Sequence, residues 1–490
     1  MNKLTTFKPL PTIFSIIITL IFWFVIPVPS GVDVNAFKLF AIFIGTIIAI
    51  ICKALPIGAI SIIAISLVAI TGVTNPNNPT GAINDALGGF SNQLIWLIGI
   101  SIMISVSLTK TGLGARIGYY FISLFGKKTL GIAYSLVVAE TILAPVTPSN
   151  TARGGGIIHP IVRSISNSFG SDPELGTSQK IGRYLSLVNF NINPITSAMF
   201  ITATAPNPLI VSFIMENTTP KFEISWIMWA IAAFIPGIIS LFLMPLIIYW
   251  IYPPEIKVTI EALNFSKKKL HELGRISQAE KITLAVFVIM LLMWADAPAI
   301  ILGNSFTINP TTATFIGLSI LLCTGVLTWD DVLKTKAAWD TITWFAALVM
   351  MASFLNKLGL TSWFSQTVGM IIYDLGIGWI GGMLLLVLIY VYAHYFFAST
   401  TAHIMAMFST FFTAGLALGA PHMLLGLILS FSSSLMMSLT HYATGTAPII
   451  FGSGYTTLSE WWKTGFILSI VNLFIWIVIG SLWWNILGYW

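Results

Sequence analysis

The sequence predicts an all-α polytopic membrane protein with about eleven transmembrane helices, two re-entrant hairpins and an inverted repeat. Three observations predict it. Of the 490 residues, 56% are hydrophobic and 8% are charged. Soluble domains carry roughly 25% charged residues, so lipid must be the main solvent. Apolar runs of helical length recur along the whole chain. Runs such as Ile13–Ile26 and Phe40–Ile51 do not alternate, which excludes the period-two strands of a β-barrel.

The roughly 20-residue crossing length places spans at about 12–28, 37–53, 55–73, 92–110, 180–215, 225–252, 282–303, 310–327, 341–356, 423–452 and 463–488. Lys3 and Lys8 precede the first run. No small-residue cleavage site follows it, and Pro27–Pro29 comes instead, so it is expected to be a retained helix. With the N-terminus inside, every Lys and Arg except Lys38, Lys221 and Lys357 falls on the cytoplasmic side. That bias predicts a cytoplasmic N-terminus and an outer C-terminus in a cell (inner) membrane. The net charge of +6 is therefore a topology footprint and not a nucleic-acid patch. Cys52 and Cys323 give neither a disulfide framework nor metal-ligand spacing.

Four parts follow. Residues 1–36 hold the N-terminal helix and 37–252 the first repeat. Residues 253–281, with Lys267-Lys268-Lys269, form an amphipathic cytoplasmic linker, and 282–490 hold the second repeat. Inside each repeat one apolar region carries a polar interruption. These are 130–165, broken by Thr147-Pro148-Ser149-Asn150-Thr151, and 378–413, broken by Ser399-Thr400-Thr401. Short apolar arms around a polar tip predict re-entrant hairpins, whose polar backbone must face protein or a watery cavity.

The repeat rests on three ordered matches. Lys110-Thr111-Gly112-Leu113 pairs with Lys357-Leu358-Gly359-Leu360. Ser149-Asn150-Thr151-Ala152-Arg153 pairs with Ser399-Thr400-Thr401-Ala402-His403, and Thr204-Ala205-Pro206 with Thr446-Ala447-Pro448. The offsets are 247, 250 and 242 residues. Five crossings separate the two units, and an odd number inverts the second. Inverted repeats with broken helices are the architecture of many secondary transporters.

Ser149, Asn150, Thr151, Ser399, Thr400 and Thr401 offer hydroxyl and amide donors beside helix N-termini, which favour anions. Plain N-capping is the competing reading. Arg153 and His403 occupy one repeat position, where a cation opposes the helix dipole unless an anion is near. Ala203 to Pro208 and Thr444 to Pro448 interrupt apolar helices. Thr204 and Thr446 are expected to line the site from these breaks, with Ala205, Pro206, Asn207, Gly445, Ala447 and Pro448 beside them. Glu140 could carry a proton or pair with Arg153. No Walker motif, Rossmann fingerprint or metal cluster is present, so no cofactor is expected and ATP is not the driving force. An anion channel is the rival from another class. An enzyme would need an acid/base or nucleophile constellation, which the chain lacks.

The Ser-Asn-Thr tip, its degenerate partner Ser399-Thr400-Thr401 and the paired Thr-Ala-Pro breaks resemble the divalent anion:sodium symporter family over nearly the whole chain. Thr147 to Gly155 and Phe451-Gly452-Ser453-Gly454-Tyr455 are similar to one branch, that of the bacterial citrate/succinate and tartrate/succinate antiporters and the plastid 2-oxoglutarate/malate translocator. The resemblance implies a homodimer, elevator-type alternating access and tips that hold the carboxylates of a small organic dicarboxylate. Sodium-coupled members carry Ser-Asn-Thr at both tips. Thr400 stands where that pattern has its second asparagine, and fixed cations at Arg153 and His403 would balance the anion instead. The expected function is sodium-independent exchange of C4–C5 dicarboxylates, with sodium-coupled symport as the alternative.

Overall fold

A computed structural model describes residues 8–490 except 219, 223, 361–362, 365–366 and 368–377; Asn304 is described by its backbone alone. Lys3 lies outside the described residues. The described chain is helical, with a single isolated bridge between Lys128 and Val258. Among the described residues seven helical stretches are long and apolar enough to cross a membrane, and four shorter apolar helices accompany them. The 18-residue stretches Thr129–Val146 and Trp379–Phe396 are among the seven. They are the first arms of the two hairpins, and a 3-10 turn at the end of each makes it longer than the sequence suggested.

Helix ends follow local chemistry. Asp33 caps Val34–Ile51 by accepting from the Asn35 and Ala36 N–H groups at 2.8 and 3.0 Å. Gln93–Thr111 and Lys336–Lys357 are each followed by a glycine in the left-handed region, Gly112 at φ 81° and Gly359 at φ 84°. Only glycine adopts that conformation without strain, so the Lys-x-Gly-Leu match is one stop signal used twice. Segments outside the expected spans, among them Pro79–Leu87 and Leu113–Phe125, are also helical.

The chain forms two compact units, each drawing on both halves of the sequence. Unit one holds Met1–Gly99, Pro208–Glu223 and Lys336–Leu429, and so contains the second hairpin. Its arms Trp379–Tyr392 and Thr400–Ala417 run antiparallel. His394 meets His403 at the tip, and an added Cβ on Gly382 would lie 2.7 Å from Leu418 at the base.

Unit two holds Ile100–Asn207, Ile224–Thr335 and Ser430–Trp490. It contains the first hairpin, Thr129–Leu143 leading to a π-helical turn Thr151–Ile158 and then His159–Ser168. Its central strut is Gly182–Met199, buried at every position except Arg183. Arg116 clamps the linker helix Ile260–Glu272 from outside. Its Nε and one Nη donate to both oxygens of Glu280 at 2.6 and 3.1 Å, and the other guanidinium bonds go to the Leu273 and Gly274 carbonyls. Burial raises the Glu280 pKa, but the Arg116 and Ser277 hydrogen bonds outweigh it and hold the carboxyl below its ordinary range.

Candidate functional site

The first tip is built on a capped helix start. Ser149 Oγ accepts from the Ala152 N–H at 3.2 Å, and the Arg153 N–H donates to the Ser149 carbonyl at 3.0 Å. The second tip repeats this. Ser399 Oγ accepts from the Ala402 N–H at 3.4 Å, and the His403 N–H donates to the Ser399 carbonyl at 3.1 Å. Both serines thus serve as N-caps, and the acceptor side of each hydroxyl is committed. Burial follows one pattern too: Asn150 and Thr400 are buried, while Ser149, Thr151, Ser399 and Thr401 are half-buried.

Asn150 ties its tip to the later helix break within unit two. Its Nδ2 donates to Thr444 Oγ1 at 2.9 Å and faces Asn193 Oδ1 at 3.4 Å. The Asn193 amide in turn donates to the Asn150 carbonyl at 3.2 Å. Thr151 abuts Gly445 so closely that a Cβ there would lie 2.5 Å from Thr151 Oγ1. Glycine is what lets the backbone of the break approach the tip.

Beneath the tip lies a fully buried ion pair. Arg153 and Glu140 are both 0% exposed, and Arg153 Nε donates to Glu140 Oε1 at 2.7 Å. One Arg153 Nη donates to the Thr147 and Ala203 carbonyls at 2.8 and 2.9 Å. The other reaches Ser197 Oγ at 2.9 Å and Thr196 Oγ1 at 3.4 Å. Asn193 Nδ2 adds a 2.6 Å bond to Glu140 Oε1. A guanidinium has five N–H donors, and here protein oxygens meet all of them. Glu140 neutralises the charge of Arg153, which braces the tip. Of the two roles left open for Glu140, the structure displays the pairing.

His403 is enclosed at the second tip. It is 0% exposed and its ring lies against Tyr390 and Phe397, with centroids 4.7 and 4.6 Å away. Its Nδ1 meets His394 Nδ1 at 3.1 Å, and its Nε2 is buried without a partner. An aromatic sleeve with no counter-ion is a poor place for a fixed compensating charge.

The first helix break separates Gly182–Met199 from Pro206–Glu216. Asn207 Nδ2 donates to the Ser197 and Phe200 carbonyls at 2.8 and 3.0 Å, and Trp229 Nε1 donates to the Ala198 carbonyl at 2.7 Å. These donors satisfy carbonyls that the break frees. Thr204 and Pro206 are buried beside them, with Ala205 half-buried. At the second break Thr446 and Ala447 are buried, while Gly445 and Pro448 are exposed. Thr446 Oγ1 and Thr147 Oγ1 are both buried without a hydrogen-bond partner, as is Glu140 Oε2. Two hydroxyls without partners beside a tip can donate to an incoming anion.

The sequence reading missed Asn193, Thr196 and Ser197, and named Thr444 only as the start of the second break. The first three had a signal: Asn189, Asn193, Thr196 and Ser197 stand at helical spacing on one face of an otherwise apolar span. Among the described residues no cluster of His, Cys, Asp or Glu could hold a metal ion.

Buried polar networks thus surround a hairpin tip and two helix breaks, among helices long and apolar enough to cross a membrane. The chain belongs to the family described as the sodium:sulfate symporter transmembrane region, whose model matches residues 8–490. It is 50% identical over 489 residues to "Putative malate transporter YflS" of Bacillus subtilis (strain 168), covering 100% of this chain and 98% of the relative. It is 43% identical over 480 residues to "Dicarboxylate transporter 1, chloroplastic" of Spinacia oleracea, covering 98% and 82%. Among solved structures, the Alcanivorax borkumensis YdaH transporter shares the fold, with a TM-score of 0.58 at 12% identity over 88% of this chain and 98% of that one.

Proposed function

We propose that the chain exchanges C4–C5 dicarboxylates such as 2-oxoglutarate, malate and succinate, with tricarboxylates as further candidate cargo, by sodium-independent antiport across the cytoplasmic membrane. The observation that carries this reading is the oxygen cage beneath the first tip. Carbonyls of Thr147 and Ala203, the Ser197 hydroxyl and the Glu140 carboxylate ring the three guanidinium nitrogens of Arg153. Such oxygens suit a hard cation, but here the Arg153 guanidinium fills their centre. A side chain that already neutralises the cage removes the need for a bound sodium ion.

The names of the relatives, a malate transporter and plastid dicarboxylate transporters, support the substrate class. In this reading Ser149, Asn150 and Thr151 hold one carboxylate, and Ser399, Thr400 and Thr401 hold the other. Thr204 and Thr446 line the site from the breaks, and Arg153 and His403 act from behind the tips. The four-part division at 36, 252 and 281, the inverted relation of the repeats, a homodimer, elevator motion, a cytoplasmic N-terminus and an outer C-terminus complete the proposal. The family description itself names sodium, which keeps sodium-coupled symport as the second reading.

Proteoliposomes separate the two. Labelled malate is expected to enter vesicles preloaded with unlabelled dicarboxylate at least tenfold faster than empty ones, with sodium or with choline outside. Equal uptake into empty vesicles, rising steeply with sodium, would establish symport instead.

A further inference from the structure

Unit one forms an open cleft of about 500 Å³ that takes no part in the site above. Phe22, Phe40, Phe43, Phe213 and Trp363 stand among its mainly apolar lining. Its volume falls within the roughly 300–1,000 Å³ of pockets that hold small organic ligands.

The polar end of the cleft is one-sided. Glu216 and Asn217 both line it. Glu216 Oε1 accepts from Ser353 Oγ at 3.0 Å, and Glu216 forms no ion pair with another described residue. The amide of Asn217 is fully engaged, donating to the Phe213 carbonyl at 2.7 Å and to Ser409 Oγ at 3.1 Å. Its Oδ1 is buried and has no partner. The adjacent residues therefore present a carboxylate without a counter-ion and an acceptor without a donor. Glu216 is half-buried, and leaving the buried Asn217 Oδ1 unmet is costly. A protonated amine answers both, because an ammonium carries positive charge and several N–H donors and no acceptor. The aromatic residues of the lining add to the match, since ring faces attract cations as well as apolar bodies.

We infer that this cleft binds a lipophilic ammonium, with its charged head at Glu216 and Asn217 and its apolar body among the phenylalanines. The same chemistry occurs in a free alkylamine and in the headgroup of an ethanolamine lipid. The inference stands apart from dicarboxylate exchange, because none of these residues belongs to a tip or a helix break.

Calorimetric titration of octylammonium into the full chain in phosphatidylglycerol nanodiscs tests it, with empty nanodiscs as the partition blank. One saturable site is expected, with 1-octanol and octanoate binding at least tenfold more weakly. Glu216→Gln, which can keep the Ser353 bond, is expected to weaken octylammonium binding at least tenfold. Asn217→Leu, a second variant should the first not fold, is expected to weaken it severalfold. Equal binding of octanol, no saturable site, or unchanged affinity in a folded variant would overturn the inference. Repeating the titration in phosphatidylethanolamine nanodiscs identifies the source. Competition by the bilayer supports the lipid headgroup as occupant, and undiminished binding supports a free amine.

Discussion

Glu140→Ala is expected to cost about 3–5 kcal/mol of stability, the usual penalty for stranding one member of a buried ion pair. Arg153 would keep its charge at 0% exposure and lose its carboxylate. Asn193 and Thr196 would lose an acceptor as well. The measurement is the thermal midpoint of purified protein in detergent, together with its yield from membranes. Glu140→Gln keeps much of the hydrogen bonding but not the charge, so it should fall between wild type and alanine. Glu140→Ala combined with Arg153→Met removes both charges and should recover most of the midpoint without recovering transport. A wild-type midpoint in Glu140→Ala alone would show that the pair does not brace the tip.

The second large effect is at Asn150. Asn150→Ala removes the bond to Thr444 and leaves that hydroxyl and Asn193 Oδ1 without their donor. A buried polar group left unmet costs about 1–3 kcal/mol. Losing the proposed hydrogen bond to a carboxylate costs about 1.5–3 kcal/mol, and about 1.4 kcal/mol is tenfold in affinity, so half-saturation for malate should rise roughly tenfold to a hundredfold. Asn150→Asp separates two meanings of that loss. The Thr444 hydroxyl could donate to an aspartate, so a purely structural tie would survive. A negative charge beside a bound dianion would not be tolerated. Transport by Asn150→Asp is therefore expected to fall below that of Asn150→Ala. An aspartate variant nearer to wild type would remove the anion from this tip.

Some of this was legible in the residues and some was not. The tips were legible because capping is local: a serine followed by free N–H groups starts a helix whatever surrounds it, and Ser149 and Ser399 do this alike. The stop signals after Thr111 and Lys357 were legible for the same reason, since a left-handed turn asks for glycine. Partners across long sequence distance were not. The sequence marks Arg153 as costly and offers Glu140 as one partner, but does not say which other oxygens meet it. Together the oxygens lie on four separate segments, at Glu140, Thr147, Ser197 and Ala203. Whether a buried arginine faces a ligand or a carboxylate is a question of tertiary packing. His403 went the same way, because the aromatic ring of Tyr390 that encloses it lies on the opposite arm. The polar face of Gly182–Met199 was readable from spacing alone, yet it was hidden inside a span judged by its apolar average.

The account turns on each tip meeting a carboxylate. Thr151→Cys and Thr401→Cys, made one at a time with Cys52 and Cys323 replaced by alanine, test it most directly. Both positions are half-buried, and so open to a small thiol reagent. Saturating malate without sodium is predicted to slow modification of both cysteines at least tenfold, while a monocarboxylate of similar size protects neither. Equal modification rates with and without malate, or protection that appears only when sodium is added, would contradict it.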